Sequence, residues 1–267
     1  MRILLTNDDG VYAPGLRALR KELRKLGEVL VVAPATEQSA TGHSITLLVP
    51  LMIQEVRDED GSPLGWAVEG KPADCVKLAV QELLPWKPDL IVSGMNAGSN
   101  AGINVLYSGT VAAAVEGAFC RHTSIAVSLE YTQPQPLDFP RAAALARGVI
   151  EQIIAHRPPA GSLFNVNIPS LEKGPVRGIR VAPQNFVPYA EQFDRRTDPR
   201  GRVYFWNTPG TMIPVPHPDT DESALAEGYI TVTPLQFNLT RHDQMETIGR
   251  WRWRLDEPLG TSAAGRS

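Results

Sequence analysis

The chain has 267 residues, 43% of them hydrophobic and 21% charged, with 26 basic against 29 acidic residues and a formal net charge of −3. That length suits one large domain burying roughly 70–75% of its unfolded surface, so a full core forms without covalent staples. Basic and acidic residues are interspersed, which argues against a nucleic-acid polymer as partner, and Cys75 and Cys120 lack the C-x-x-C or Cys/His spacing of a zinc site.

The opening "MRILLTNDDG" has too short an apolar run for a signal segment or a ~20-residue membrane span. A soluble, cytoplasmic protein with no membrane partner is the expectation, with both thiols buried as small hydrophobes in a reducing compartment. Arg2 to Thr6 reads as a buried strand. "APGLRALRKELRKLG" then sets Leu16, Leu19, Leu23 and Leu26 at helical spacing, with Arg17, Arg20, Lys21, Arg24 and Lys25 as a solvated face and Gly27 as the stop. "EVLVVAP" is a second strand, and the three segments make a right-handed βαβ unit.

Thr46 to Val68 reads as a hairpin around the turn-rich "DEDGSP". The alternation resumes with "KPADCVKLAVQELL" as helix, "PDLIVSG" as strand, "SGTVAAAVEGAFCRH" as helix and "SIAVSLE" as strand. "RAAALARGVIEQIIAHR" is a long helix, and "LFNVNIP" and "GIRVAPQ" are strands after it. Alternating elements with continuous apolar strands imply a three-layer α/β fold around a mainly parallel sheet. Asn185 to Asp221, rich in Pro, Arg and aromatics, breaks the alternation with "RVYFWN" as a strand and reads as a projecting arm. Phe186, Tyr189, Phe193, Tyr204, Phe205 and Trp206 give it more aromatic surface than water tolerates, so it is expected to join copies of the chain. "GYITVTPLQFNLT" returns as a strand, and the final "GTSAAGRS" reads as disordered.

Ligands of open α/β sheets bind beyond the carboxyl ends of the strands. Three loops there carry compact oxygen donors: "NDDG" with Asp8 and Asp9, "APATEQSATGHS" with Ser39, and "SGMNAGSNAG" with Asn96. Neighbouring carboxylates repel, and a cation between them reverses the sign; a turn with a helix cap is the competing explanation of "NDDG". Carboxylates, a hydroxyl and an amide suit Mg²⁺, Mn²⁺ or Ca²⁺ better than zinc or copper. His43, alone in its loop, fits an orienting role more than a ligand or base. Ser108-Gly109-Thr110 opens a helix of small residues, where free amides and hydroxyls receive phosphate without a lysine; an ordinary N-cap is the alternative. The chain has neither G-x-G-x-x-G nor G-x-x-x-x-G-K-[ST], which disfavours a dinucleotide site and a P-loop. A hard cation beside a phosphate cradle points to phosphoryl chemistry.

The segments "ILLTNDDGVYAPGL", "VVAPATEQSATGHSIT", "GKPADCVKLA", "DLIVSGMNAGSNAG", "YSGTVAAAVEGA" and "TDESALAEGYITVTPL" run in order from Ile3 to Leu235. On them the chain resembles the SurE family of metal-dependent nucleotide phosphatases. The resemblance implies a single SurE-like domain with a Rossmann-like core over about residues 1–184. An arm and C-terminal exchange region would follow over about 185–255, then a tail over about 256–267, within a homodimer or homotetramer. It implies hydrolysis of nucleoside monophosphates by a 5′-nucleotidase, with 3′-nucleotidase and short-chain polyphosphatase activities as extensions. Asp8, Asp9, Ser39 and Asn96 would hold one Mg²⁺ or Mn²⁺, and Ser108, Gly109 and Thr110 would face the phosphate. Asp8 and Asp9 are the catalytic candidates, with an activated water as nucleophile, because the D-x-D-x-[TV] pattern of aspartyl-phosphate enzymes is missing. Lys71 departs from the family, which usually has a smaller residue before Pro-Ala-Asp. A metal-dependent transferase and a non-catalytic nucleotide sensor remain as alternatives on the residues alone.

Overall fold

In the computed structural model, which describes residues 1–58, 60–131, 136–187, 191–209 and 216–254, the apolar run at the N-terminus forms β1 (Arg2–Thr6), buried from Ile3 onward. Its alternation sorts the core into two layers. Ile3 and Leu5 pack on one face with Leu16, Leu19 and Leu23 of α1 (Pro14–Leu23) and with Ala142, Ala146 and Ile150 of α4 (Phe139–Ala155). Leu4 faces the other way, onto Cys75 and Val76 of α2 (Pro72–Leu78) and Ala113 of α3 (Gly109–Phe119). The result is the expected three-layer α/β architecture.

Among the described residues, the central sheet has nine strands in the order β3-β4-β2-β1-β5-β6-β7-β11-β8. These are β2 (Glu28–Pro34), β3 (Ile53–Arg57), β4 (Pro63–Val68), β5 (Leu90–Ala97), β6 (Thr123–Leu129), β7 (Leu163–Ile168), β8 (Ile179–Val181) and β11 (Ile230–Leu235). The β1–β2, β1–β5, β2–β4, β5–β6, β6–β7 and β8–β11 pairs are parallel, whereas β3–β4 and β7–β11 are antiparallel. The chain leaves β1 toward β2 and β4 and returns to the opposite side at β5. The topological switch point therefore lies between β1 and β5, where such sheets open their binding crevice. Among the described residues, β9 (Glu191–Thr197) and β10 (Val203–Pro209) pair only with each other, as an antiparallel hairpin with Phe193, Tyr204, Phe205 and Trp206 exposed.

Several local expectations change. Arg20 is buried against Asp58, so α1's basic face is not solvated throughout. Strand pairing in the early hairpin starts at Ile53 rather than Thr46; Pro50, without an N–H, cannot donate to a ladder. The helix begun at Pro72 widens after Leu78 into a π turn over Ala79–Leu83. β9 is charged and was not legible as a strand, and β5 extends through Ala97. Cys75 is buried as expected, but Cys120, at the C-cap of α3, is only partly covered.

The chain divides into two units, Met1–Leu235 and Gln236–Ser267. In the second, the helix His242–Gly249 buries none of its residues. Tyr189 and the tail over 256–267 lie outside the described residues. Among those described, no helix is long and apolar enough to cross a membrane.

Candidate functional site

Because β1, β2 and β5 run parallel, the loops after them open on one edge, where they line a cleft of about 520 Å³. Asp8, Asp9, Ser39, Asn96 and Ser108 line it, together with Glu37, Asn100, Asn104 and Tyr107. Four donors foreseen on three loops are thus brought together at the switch point.

Asn7 makes the turn in "NDDG". Its side-chain amide donates to the Gly10 carbonyl (2.9 Å) and its Oδ1 accepts the Gly10 amide (3.2 Å), with Gly10 at φ 101°. The N-cap of α1 is Ala13, without a side-chain cap bond. Neither aspartate is needed for turn or cap, which leaves both carboxylates to the cleft. Asp8 is 5% exposed, and burial raises its pKa while hydrogen bonding to Thr110 opposes the rise. Asp9 is pushed up to about 6, first by burial and then by the charge of Asp8, with Glu37 adding to it and the Ala97 amide opposing it. Ionising this pair costs free energy that a cation would return.

The other donors fit the same cation chemistry. Asn96 commits its Nδ2 to the Gly98 carbonyl (2.7 Å), leaving the amide oxygen as the available donor. Ser39, exposed on the rim, donates its hydroxyl to Glu37. The Gln38 amide donates to the Asp8 carbonyl (2.7 Å), tying this loop to β1's end. Lys71, the departure from the family pattern, reaches Gln38 Oε1 (2.7 Å) and so braces that loop from behind. Among the described residues, no three His, Cys, Asp or Glu side chains form a ready metal cage. The donor set is instead two carboxylates, a hydroxyl and an amide, all hard oxygen, which fits Mg²⁺ or Mn²⁺.

The start of α3 carries two roles at once. Ser108 caps the helix, its Oγ accepting the Val111 amide (3.1 Å), yet it also lines the cleft. Thr110 is fully buried and donates its hydroxyl to Asp8 Oδ1. A Cβ on Gly109 would sit 2.8 Å from the Asp8 Cβ, so only glycine permits this approach. The first turn of α3 is therefore set against Asp8, with Ser108 at the cleft wall and Thr110 behind it.

His43 points away from the cleft: its Nε2 lies 2.9 Å from Glu116 Oε2 and its ring stacks on Phe119 at 5.7 Å. It tethers the Ser39 loop to α3, as an orienting residue would. Sequence reasoning did not single out Glu37, Asn100 or the buried asparagines beneath them. Asn100 donates through its amide to Asn167 Oδ1 (2.8 Å) and through Nδ2 to Ser128 Oγ (2.9 Å), and its carbonyl accepts from Asn165 (2.7 Å). The available signal was "NVN", two polar residues in phase on a strand buried on both faces.

Known proteins place this geometry in context. The family model described as "Survival protein SurE" matches residues 3–191. A protein named 5′-nucleotidase SurE from Rhodopirellula baltica is 52% identical over 255 residues, covering 95% of this chain and all of that one. Its namesake from Syntrophobacter fumaroxidans is 46% identical over 251 residues, covering 94% and 99%. The crystal structure of the SurE protein from Aquifex aeolicus superposes with a TM-score of 0.81 at 36% identity, covering 93% of this chain and 98% of that one.

Proposed function

The chain belongs to the SurE family, and from that premise we propose that it is a divalent-metal-dependent phosphatase releasing phosphate from nucleoside 5′-monophosphates. Its relatives' shared name supports the nucleotidase assignment. The observation that carries the metal is the Asp8–Asp9 pair, both carboxyls raised by burial and Asp9 further by its neighbour, at the mouth of the switch-point cleft.

Asp8, Asp9, Ser39 and Asn96 would hold the ion, which when bound supplies charge to polarise the phosphoryl oxygens and acidify a water. Thr110 keeps Asp8 fixed by its hydroxyl, so that carboxylate needs no rearrangement. Ser108 and the opening amides of α3 offer donors to the equatorial phosphoryl oxygens, where negative charge gathers. Water is the preferred nucleophile over either carboxylate. Among the described residues, Tyr107 is the one aromatic lining the cleft, so the base is held loosely and tolerance for purine and pyrimidine follows.

Self-association belongs to the same proposal. The exposed aromatics of β9 and β10 support an interface between copies, with exchange of C-terminal elements as a further element of it. The substrate assignment is tested by comparing kcat/KM across purine and pyrimidine 5′- and 3′-monophosphates, sugar phosphates, phosphopeptides and short polyphosphate. A nucleoside monophosphate should lead; a sugar phosphate or phosphopeptide exceeding every nucleotide would overturn the substrate while leaving the phosphatase chemistry.

A further inference from the structure

The loop between β5 and α3 reaches the cleft through a 3₁₀ turn, Gly102–Leu106, that leads into Tyr107 and Ser108. A carboxylate far along the chain holds this turn. Asp221 is fully buried, and its Oδ2 accepts the Gly102 amide at 2.9 Å. Its Oδ1 accepts the amides of Asn185 and Glu222, each at 2.8 Å. The Gly102 carbonyl is also held, by Gln184 Nε2 at 2.8 Å. Asn185, itself 2% exposed, donates its side-chain amide to Glu222 and accepts the His217 amide on Oδ1. The two ends of the segment that carries the β9–β10 hairpin are thereby tied to each other and to the loop of the cleft.

We propose that Asp221 is a positioning residue for the cleft, one carboxylate oxygen fixing the Gly102 turn and the other fixing the root of the hairpin arm. The proposal rests on the phosphatase reading for its catalytic consequence. An acceptor with two oxygens is required, because three amide donors converge on one side chain and a buried donor without an acceptor is costly. The turn it fixes also accepts the Gly42 amide on the Tyr107 carbonyl (3.0 Å), joining it to the loop that carries Ser39. Asp8 and Asp9 leave the end of β1 directly, whereas Asn96 bonds the Gly98 carbonyl and Ser39 shares the loop that Gly42 ties to Tyr107. Loss of Asp221's hold therefore loosens the phosphate side of the cleft more than the cation side.

Asp221→Asn makes the sharpest probe. Its amide keeps two bonds when the oxygen faces Asn185 and Glu222, which sets its NH₂ against the Gly102 amide, donor to donor. Gln184→Ala removes the second hold on Gly102 from a partly exposed position and guards against a variant that fails to fold. The experiment is hydrogen exchange of the full chain, combined with AMP hydrolysis at varied substrate and varied Mn²⁺. The expected result is faster exchange confined to residues 98–108 and a kcat/KM lowered roughly tenfold through KM, with half-activating Mn²⁺ changed less than KM; Gln184→Ala moves the same way by less. Unchanged exchange over 98–108 in Asp221→Asn would overturn the proposal. So would faster exchange spread over the whole unit in both variants with KM unmoved, which is a merely structural role. Absence of AMP hydrolysis by the unaltered chain would remove the phosphatase reading, and exchange at 98–108 would still decide the link.

Discussion

Thr110 Oγ1 donates to Asp8 Oδ1 across 102 positions of sequence, so a residue in the first turn of α3 holds the carboxylate that follows β1. One bond thus joins the proposed cation side of the cleft to its phosphate side. Thr110→Val keeps the shape and removes the donor, leaving a buried carboxylate oxygen short of a partner. A hydrogen bond to a charged group is worth about 1.5–3 kcal/mol, so kcat/KM is expected to fall roughly ten- to hundredfold with the fold retained. Thr110→Ser should restore most of it. Steady-state kinetics with circular dichroism checks both, and a fully active valine variant would show that the bond is idle.

Asp9 offers a test without metal. Its carboxyl is pushed up from the usual 3.8 to about 6, so the folded state holds the proton more tightly than the unfolded state. The ionisation penalty is absent while both states are protonated, develops as pH rises from about 4 to 6, and stays in full above that. Asp9→Asn removes it. The variant's melting temperature without metal should match the parent's near pH 4 and exceed it above about pH 7. Its turnover with Mn²⁺ should be nearly abolished. A variant that melts earlier across the whole range, yet turns over normally, would make Asp9 a structural residue.

The hairpin arm leaves Phe193, Tyr204, Phe205 and Trp206 exposed, and aromatic side chains of this kind are enriched where chains meet. Light scattering should find the full chain as a dimer or larger. Removing the β9–β10 hairpin should lower that mass. A monomeric parent would contradict the assignment of the arm.

The layers of the fold were legible because β1's unbroken apolar run and the leucine spacing of α1 each report a periodicity that burial enforces. Placement of Asp8, Asp9, Ser39 and Asn96 on one edge followed from parallel strand order alone. What stayed hidden depends on partners distant in the chain. Asn7, not an aspartate, closes the "NDDG" turn, and a string of letters does not say which of three polar side chains turns inward. Arg20 looked solvated because its partner, the half-buried Asp58, arrives from a hairpin. Asp221's hold on Gly102 spans 119 positions and leaves no local trace.

The central claim, that the Asp8–Asp9 cleft works through a divalent ion, is tested most directly by phosphate release from AMP after EDTA treatment and dialysis, with Mg²⁺, Mn²⁺ or Zn²⁺ restored separately. Four hard oxygen donors, two of them carboxyls raised by burial, predict loss of activity in chelator and recovery with Mg²⁺ or Mn²⁺ ahead of Zn²⁺. Full phosphate release in the presence of chelator would contradict it.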